Sequence, residues 1–465
     1  MDGKNLSRRR AGQLIVGGSA ALYLLSSGQA SGSPFELPQP KKEKQTQPAP
    51  KRTLVLTKLL TQGTKHDWTL SVAVNVNAYV ERDSKGMPVV HDFKLDSAAV
   101  VFPILKDTCC HKSYTRIVKS KLKFNDGLVA DRVAKYEDKY PCGTRLAKWE
   151  MRDKQGREMS LEVDIPMTCW QIRFDEKNAE LVGWPTRWPQ VPMSTFTDLQ
   201  VIGTRSDGKP LALIDHNAEN VQALLSTWTK GKDPKSIPPV VLAKFLAGQV
   251  VEQFQPSGDA MSFLKNSGFR GFSLLGAEAT INDGRGSEHD IACVLCAIYR
   301  AAGLPARLVI GYDISEENAD GTSFLSRQID AVPKFRTWVE FCLYDDTSPK
   351  EIWVPVDVNR QRKISSKVQR DPRVWKYFGN NDELNAVMPI AHQFHPPTTV
   401  MAHGSPCFWG WMTFPEAQTA TQFLRFNSMA TPRTATSDRD REGPVDEPVA
   451  PGGPSPANPT TPKKK

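Results

Sequence analysis

The sequence predicts an α+β protein: an N-terminal β-sandwich, then a core of helices packed on an antiparallel sheet. Three observations lead there. Residues 52–195 hold short alternating segments divided by turn signals. A strong helical pattern over Ser287–Ala302 stops at Gly303 and Pro305, then passes into the apolar triplet Leu308-Val309-Ile310. Two further apolar stretches, Thr337–Leu343 and Ile352–Asp357, follow. Helices first and strands afterwards give a segregated α+β layout rather than alternating layers.

The ends of the chain read as unstructured or removable. Ser7-Arg8-Arg9-Arg10 precedes a moderately apolar Leu14–Leu25 run and the small-x-small triplet Gly28-Gln29-Ala30. That order is an export signal over residues 1–30, and its consecutive arginines resemble the twin-arginine type. An uncleaved anchor is the rival, against which the run is short for a membrane span. The expected location is the periplasm or cell surface. Five prolines among lysines and glutamines make residues 31–51 a disordered linker, and the Pro, Gly, Thr and Lys content of 429–465 a disordered tail.

A chain of 465 residues has room for two or three domains. Its net charge of +9 lies largely in terminal runs such as Arg8–Arg10 and Lys463–Lys465. No compact basic stripe interleaves with aromatics, which argues against nucleic acid as a partner. The partners expected are a peptide or a cell-envelope polymer, with a membrane only through an uncleaved signal.

Eight cysteines in an exported chain can form disulfides. Cys109 and Cys110 are adjacent, and Cys142 and Cys169 in the same β-rich region are the expected partners. Cys293 and Cys296 share one helical stripe without companion ligands, so buried core thiols are the simpler reading. Cys109-Cys110-His111 lacks a second ligand cluster. His392, His395 and His403 lie near Cys407, but Pro396-Pro397 marks a loop there and acidic partners are missing. No metal or cofactor is expected.

Leu54–Leu56, Leu70–Val76, Arg157–Val163 and Cys169–Phe174 read as sandwich strands over 52–195, with turns at Asp83–Gly86 and Asp153–Gly156. Trp170, Trp184 and Trp188 suggest either a carbohydrate platform or, more simply, interface packing. The second domain, 200–360, opens with helices at Asn217–Trp228 and Val240–Phe254. Residues 361–428 form an extension. Within the Ser287–Ala302 helix, Ser287 and Asp290 make a capping-box-like start. Glu288 therefore occupies the first turn, where the dipole favours an anion.

On these residues the segment resembles the transglutaminase-like superfamily. Gly286, Asp290 and Ala292 fit that family's G-x-C-x-D-x-A opening, and Arg300 to Arg307 with Gly311-Tyr312 fit its R-A-x-G-[IL]-P-A-R and V-x-G-Y continuation. The preceding GAEATINDGRG fits the loop leading into the helix. Arg336-Thr337-Trp338-Val339-Glu340 stands where the family has H-[AS]-W-V-E, and Trp353–Asp357 where it has an aspartate-bearing strand. The resemblance implies a papain-like core and a Cys-His-Asp triad. Its triad positions hold Glu288, Arg336 and Asp357.

A Cys-His-Asp triad needs an imidazole that accepts the thiol proton. Guanidinium gives up no proton at working pH, and a carboxylate is a weak nucleophile toward amides. The substituted trio predicts a fixed Glu–Arg–Asp ion network and a non-catalytic binding or structural module. Two alternatives remain from the residues: a hydrolase using Glu288 and Asp357 as paired carboxylates, and an acyltransferase or protease using Cys293 or Cys296.

Overall fold

The computed structural model describes residues 55–430 apart from 139, 141–142, 205–207, 209, 264–267, 316–333, 369–373, 397–407 and 418. The expected export signal, the linker and the tail from Thr431 onward lie outside the described residues, as do Cys142, His403 and Cys407.

The first long strand, Leu60–Ala78, alternates strictly from Trp68 onward, burying Leu70, Val72, Val74 and Val76. It pairs antiparallel with Glu158–Phe174, where Met159, Leu161, Val163 and Ile165 face the same core. The two short strands expected at 157–163 and 169–174 are thus one. Phe93–Pro103 pairs with Leu146–Gly156 in a second sheet. The two sheets share one apolar core, as period-2 burial on facing sheets requires.

Residues 52–195 do not close this sandwich alone. Thr419–Ala430 pairs along the free side of Leu60–Ala78, and Phe269–Phe272 pairs beyond it. Gly410–Phe414 edges the second sheet beside Phe93–Pro103. The register gives the reason. Phe426 and Leu424 stand opposite Val72 and Val74 and bury with them, so the first sheet's apolar face runs on into the late strand. The span read as an extension, 361–428, therefore supplies strands to the sandwich.

Local details differ from the sequence reading. Leu56–Lys58 is a single 3-10 turn rather than part of a strand. Asp153–Gly156 lies inside a strand, and the chain reverses one residue later. There Asn125 Oδ1 accepts from the Arg157 and Glu158 amides at 2.8 and 3.2 Å. A Cβ on Gly156 would lie 1.6 Å from the Asn125 side-chain nitrogen, so any larger residue there displaces the amide that holds this reversal. The turn at Asp83–Gly86 forms as expected, with Asp83 accepting from the Lys85 and Met87 amides.

The second part has helices Glu219–Thr229, Pro239–Gln253 and Glu288–Ala301 near the expected places. Four antiparallel strands follow in the order Ile352–Val356, Phe335–Leu343, Ala306–Asp313, Val387–Ala391. The α+β class predicted from the sequence is the one observed. The segment GAEATIND, read as loop, is a helix at Gly276–Asp283 ended by Gly284 at φ 68°. Buried Ala277 and Thr280 give it an inner face despite its polar composition. No helix among the described residues is long and apolar enough to cross a membrane.

Strand alternation divides the Phe335–Leu343 side chains between two faces. Thr337 and Phe341 meet the Glu288–Ala301 helix through His289 and Tyr299. Trp338 packs on the other face with Leu105, Cys110 and Ile172. Arg336 shares the face of Trp338, and that orientation decides its partners.

Candidate functional site

The start of the Glu288–Ala301 helix is fixed by Asp290. Its Oδ2 accepts from the Ser287 amide and hydroxyl, and its Oδ1 from the Leu275 and Gly276 amides at 2.8 and 3.0 Å. The reciprocal Ser287–Asp290 capping box satisfies helix-end N–H groups. This clamp holds Glu288 at the mouth of a cleft. Its carboxylate pairs with Lys363 at 3.2 Å, both side chains about half exposed. Its carbonyl accepts from Asn359 Nδ2 at 2.8 Å.

Arg336 lies deeper, with its side chain 5% exposed. Nε donates to Asp357 Oδ2 at 2.6 Å and Nη1 to Glu383 Oε2 at 2.9 Å. Asp357 also caps the short Val358–Ile364 helix by accepting from the Arg360 amide. Arg360 reaches Asp313 at 3.0 Å, and the Tyr377 hydroxyl donates to Glu383. Burial opposes the guanidinium's charge, but Asp357, Asp313 and Glu383 outweigh it and hold the pKa of Arg336 above its ordinary value. Burial likewise raises the Glu383 carboxyl, yet Arg336, the Tyr377 hydroxyl, Arg360 and Lys376 together hold it below the usual range.

The expected Glu288–Arg336–Asp357 network is thus corrected in one member. Arg336 binds Asp357 and Glu383, while Glu288 binds Lys363. The pleat causes this. Thr337 takes the helix-facing side, so Arg336 points toward the 376–386 segment and away from the helix start. Glu288, Arg336 and Asp357 still line one cleft with a volume of about 240 Å³.

No thiol or imidazole from the described residues lines that cleft. Cys293 and Cys296 are fully buried, and burial raises both thiols, Cys296 to about 11. His289 sits beside Glu288 in sequence, yet it is buried between Phe272 and Phe394 and bonded to Thr337 at 2.8 Å. Burial lowers it to about 4. His392 is buried with Nδ1 on the Leu308 carbonyl. Among the described residues no cluster of three His, Cys, Asp or Glu side chains could hold a metal ion.

A thiolate is the reactive form, and burial suppresses it. Native protein treated with iodoacetamide is therefore expected to leave Cys293 and Cys296 unlabelled until denaturant is added, as read by peptide mass spectrometry. Rapid labelling of either in the native state would restore the thiol-enzyme alternative.

The disulfide expectation meets free thiols: Cys109, Cys110 and Cys169 are unbonded. Cys169 lies within a long strand, opposite His111 rather than either vicinal cysteine. Trp184 donates to the Ile237 carbonyl at 2.7 Å and meets Trp188 edge-on at 6.3 Å, which is packing rather than an open platform.

Sequence reasoning missed Glu383, Arg360, Lys363 and Asn359. Asn359, Arg360 and Lys363 follow Asp357 at two, three and six residues, a spacing that a helix capped by Asp357 makes legible. Glu383 precedes a single 3-10 turn and carries no periodic signal.

The helix start is clamped by Asp290, and three separate stretches of the chain supply Glu288, Arg336 and Asp357 to one cleft. Residues 251–358 match the family model of the transglutaminase-like superfamily. Two solved structures are similar. One is a candidate cysteine protease from Cytophaga hutchinsonii, 13% identical over 81% of this chain and 95% of that one, with a TM-score of 0.43. The other is a candidate protease from Parabacteroides distasonis, 10% identical over 64% and 63% of the two chains, with a TM-score of 0.20. No curated protein matches the chain.

Proposed function

We propose that this chain is a transglutaminase-like pseudoenzyme, with Glu288 and Arg336 at the family's cysteine and histidine positions. In this reading its cleft binds a peptide or cell-envelope polymer without transforming it, outside the cytoplasm. One observation supports it: Arg336, which the resemblance aligns with the family's histidine, is held by Asp357 at 2.6 Å and Glu383 at 2.9 Å. Guanidinium has no lone pair to offer as a base, and its two carboxylates favour the charged state further. Glu288 at the helix start is engaged by Lys363.

The paired-carboxylate alternative is disfavoured at Asp357. Both oxygens of Asp357 are already taken as acceptors, by Arg336 and by the Arg360 amide, so neither is placed to hand a proton to a substrate. The Glu288→Cys variant tests the reading. It is expected to release no ammonia from glutaminyl peptides and to cleave no peptide bond, because the base is still missing. Turnover above the buffer rate from this single variant would overturn the proposal.

A further inference from the structure

Cys109 and Cys110 are the two central residues of a hairpin turn. The Thr108 amide donates to the His111 carbonyl at 3.0 Å and the Ser113 amide to the Lys106 carbonyl at 2.9 Å, which closes the turn around them. Their sulfurs are neighbours: the Cys109 thiol is hydrogen-bonded to Cys110. Cys110 is fully buried and Cys109 half-buried, so one thiol is within reach of a reagent and the other stands behind it. Cys169, the third described cysteine of this region, faces away. The Trp170 amide donates to the Cys110 carbonyl at 2.8 Å, and Cys169 stands opposite His111. Strand alternation therefore sends Cys169 to the other face of the sheet. It buries in the sandwich core, whereas Cys110 packs with Ile172, Trp338, Leu384 and Val387.

We propose that Cys109 and Cys110 form a reversible vicinal disulfide, a redox switch packed behind the Arg336 cleft. The oxidant is a small-molecule disulfide. The Cys109 thiolate attacks one of its sulfurs and expels a thiolate, which leaves a mixed disulfide. Cys110 then loses its proton, attacks the Cys109 sulfur and expels the second thiolate. Two protein thiols are oxidised, one small disulfide is reduced to two thiols, and the expelled thiolates take up the two protons. The Thr108 hydroxyl links Cys110 Sγ at 3.4 Å to His111 Nδ1 at 2.9 Å. Burial keeps that imidazole neutral, its pKa lowered to about 4. In the tautomer with Nδ1 free, the resolving thiol has an acceptor for its proton.

Adjacent Cα atoms lie about 3.8 Å apart, short of the roughly 4.4–6.8 Å usual for a disulfide. The bond is therefore strained and readily reduced, which suits a switch rather than a permanent cross-link. Closing it draws the Cys110 sulfur away from Leu384 and Val387. Leu384 follows Glu383, the carboxylate that holds Arg336 at 2.9 Å, so the lost packing falls on the support of the cleft. Burial, with help from Cys110 and Glu340, holds the Cys109 thiol well above its ordinary value. Exchange is accordingly slow at neutral pH and faster in mild alkali. This inference does not depend on what the cleft binds.

The full chain, first reduced, is incubated with oxidised glutathione at mildly alkaline pH, treated with iodoacetamide and digested with trypsin. Residues 107–112 form one tryptic peptide that carries both cysteines. It is expected without alkylation and two hydrogens lighter than the dithiol, and dithiothreitol is expected to restore the dithiol. Cys110→Ser is expected to stop with glutathione on Cys109. Hydrogen exchange over residues 384–387 is expected to run roughly threefold or more faster in the oxidised chain. Glutathione retained on Cys109 in the wild type, a link from either cysteine to Cys142 or Cys169, or a dithiol that resists the oxidant overturns the pairing. Unchanged exchange over 384–387 overturns the switch.

Discussion

Replacing Arg336 with methionine is expected to cost about 3–5 kcal/mol of folding stability. The guanidinium and its partner Asp357 are nearly inaccessible, at 5% and 2% side-chain exposure. Methionine fills much of the volume but strands Asp357 and Glu383 in a poorly solvated site. Arg360 stays near Glu383 at 3.7 Å and softens the loss without removing it. Glu288→Ala is expected to change stability by less than about 1 kcal/mol, because its pair with Lys363 is solvated. Urea denaturation followed by circular dichroism compares the two. If both variants lose similar small amounts, the buried network contributes nothing specific.

Asp290→Ala is the second large effect, on the order of 3–5 kcal/mol. The carboxylate gathers three backbone amides and one hydroxyl from Leu275, Gly276 and Ser287. Alanine leaves several of these donors buried and unpaired, and it removes half of the capping box. Asp290→Asn keeps one acceptor and is expected to lose roughly half as much. Thermal or urea unfolding of the pair reads this directly. An alanine variant within about 1 kcal/mol of wild type would show that the clamp is replaceable by water.

Much of this arrangement was legible beforehand, for identifiable reasons. The Ser287–Ala302 pattern has a cap, a period and a stop, so the helix was found to within a residue. Leu308–Tyr312 and Thr337–Leu343 are buried and apolar, and both are strands. The convergence of Glu288, Arg336 and Asp357 on one cleft followed from motif order. Which side chains bond there did not, because Glu383 comes from an irregular segment and pleat direction depends on tertiary packing. The Gly276–Asp283 helix was missed because its inner face is only Ala277 and Thr280. The long Glu158–Phe174 strand reads as two in the sequence because Pro166, a residue that argues against a strand interior, stands within it, although Met167 keeps the alternation of buried side chains.

The strand Thr419–Ala430 lies between Leu60–Ala78 and Phe269–Phe272 in the same sheet. During synthesis the first strand therefore leaves the ribosome some 350 residues before the partner that covers its free edge. An edge waiting that long is an aggregation risk. Closure of the sandwich thus waits until Thr419–Ala430 has emerged, and any ribosomal stall before then releases a polypeptide with an open β-edge.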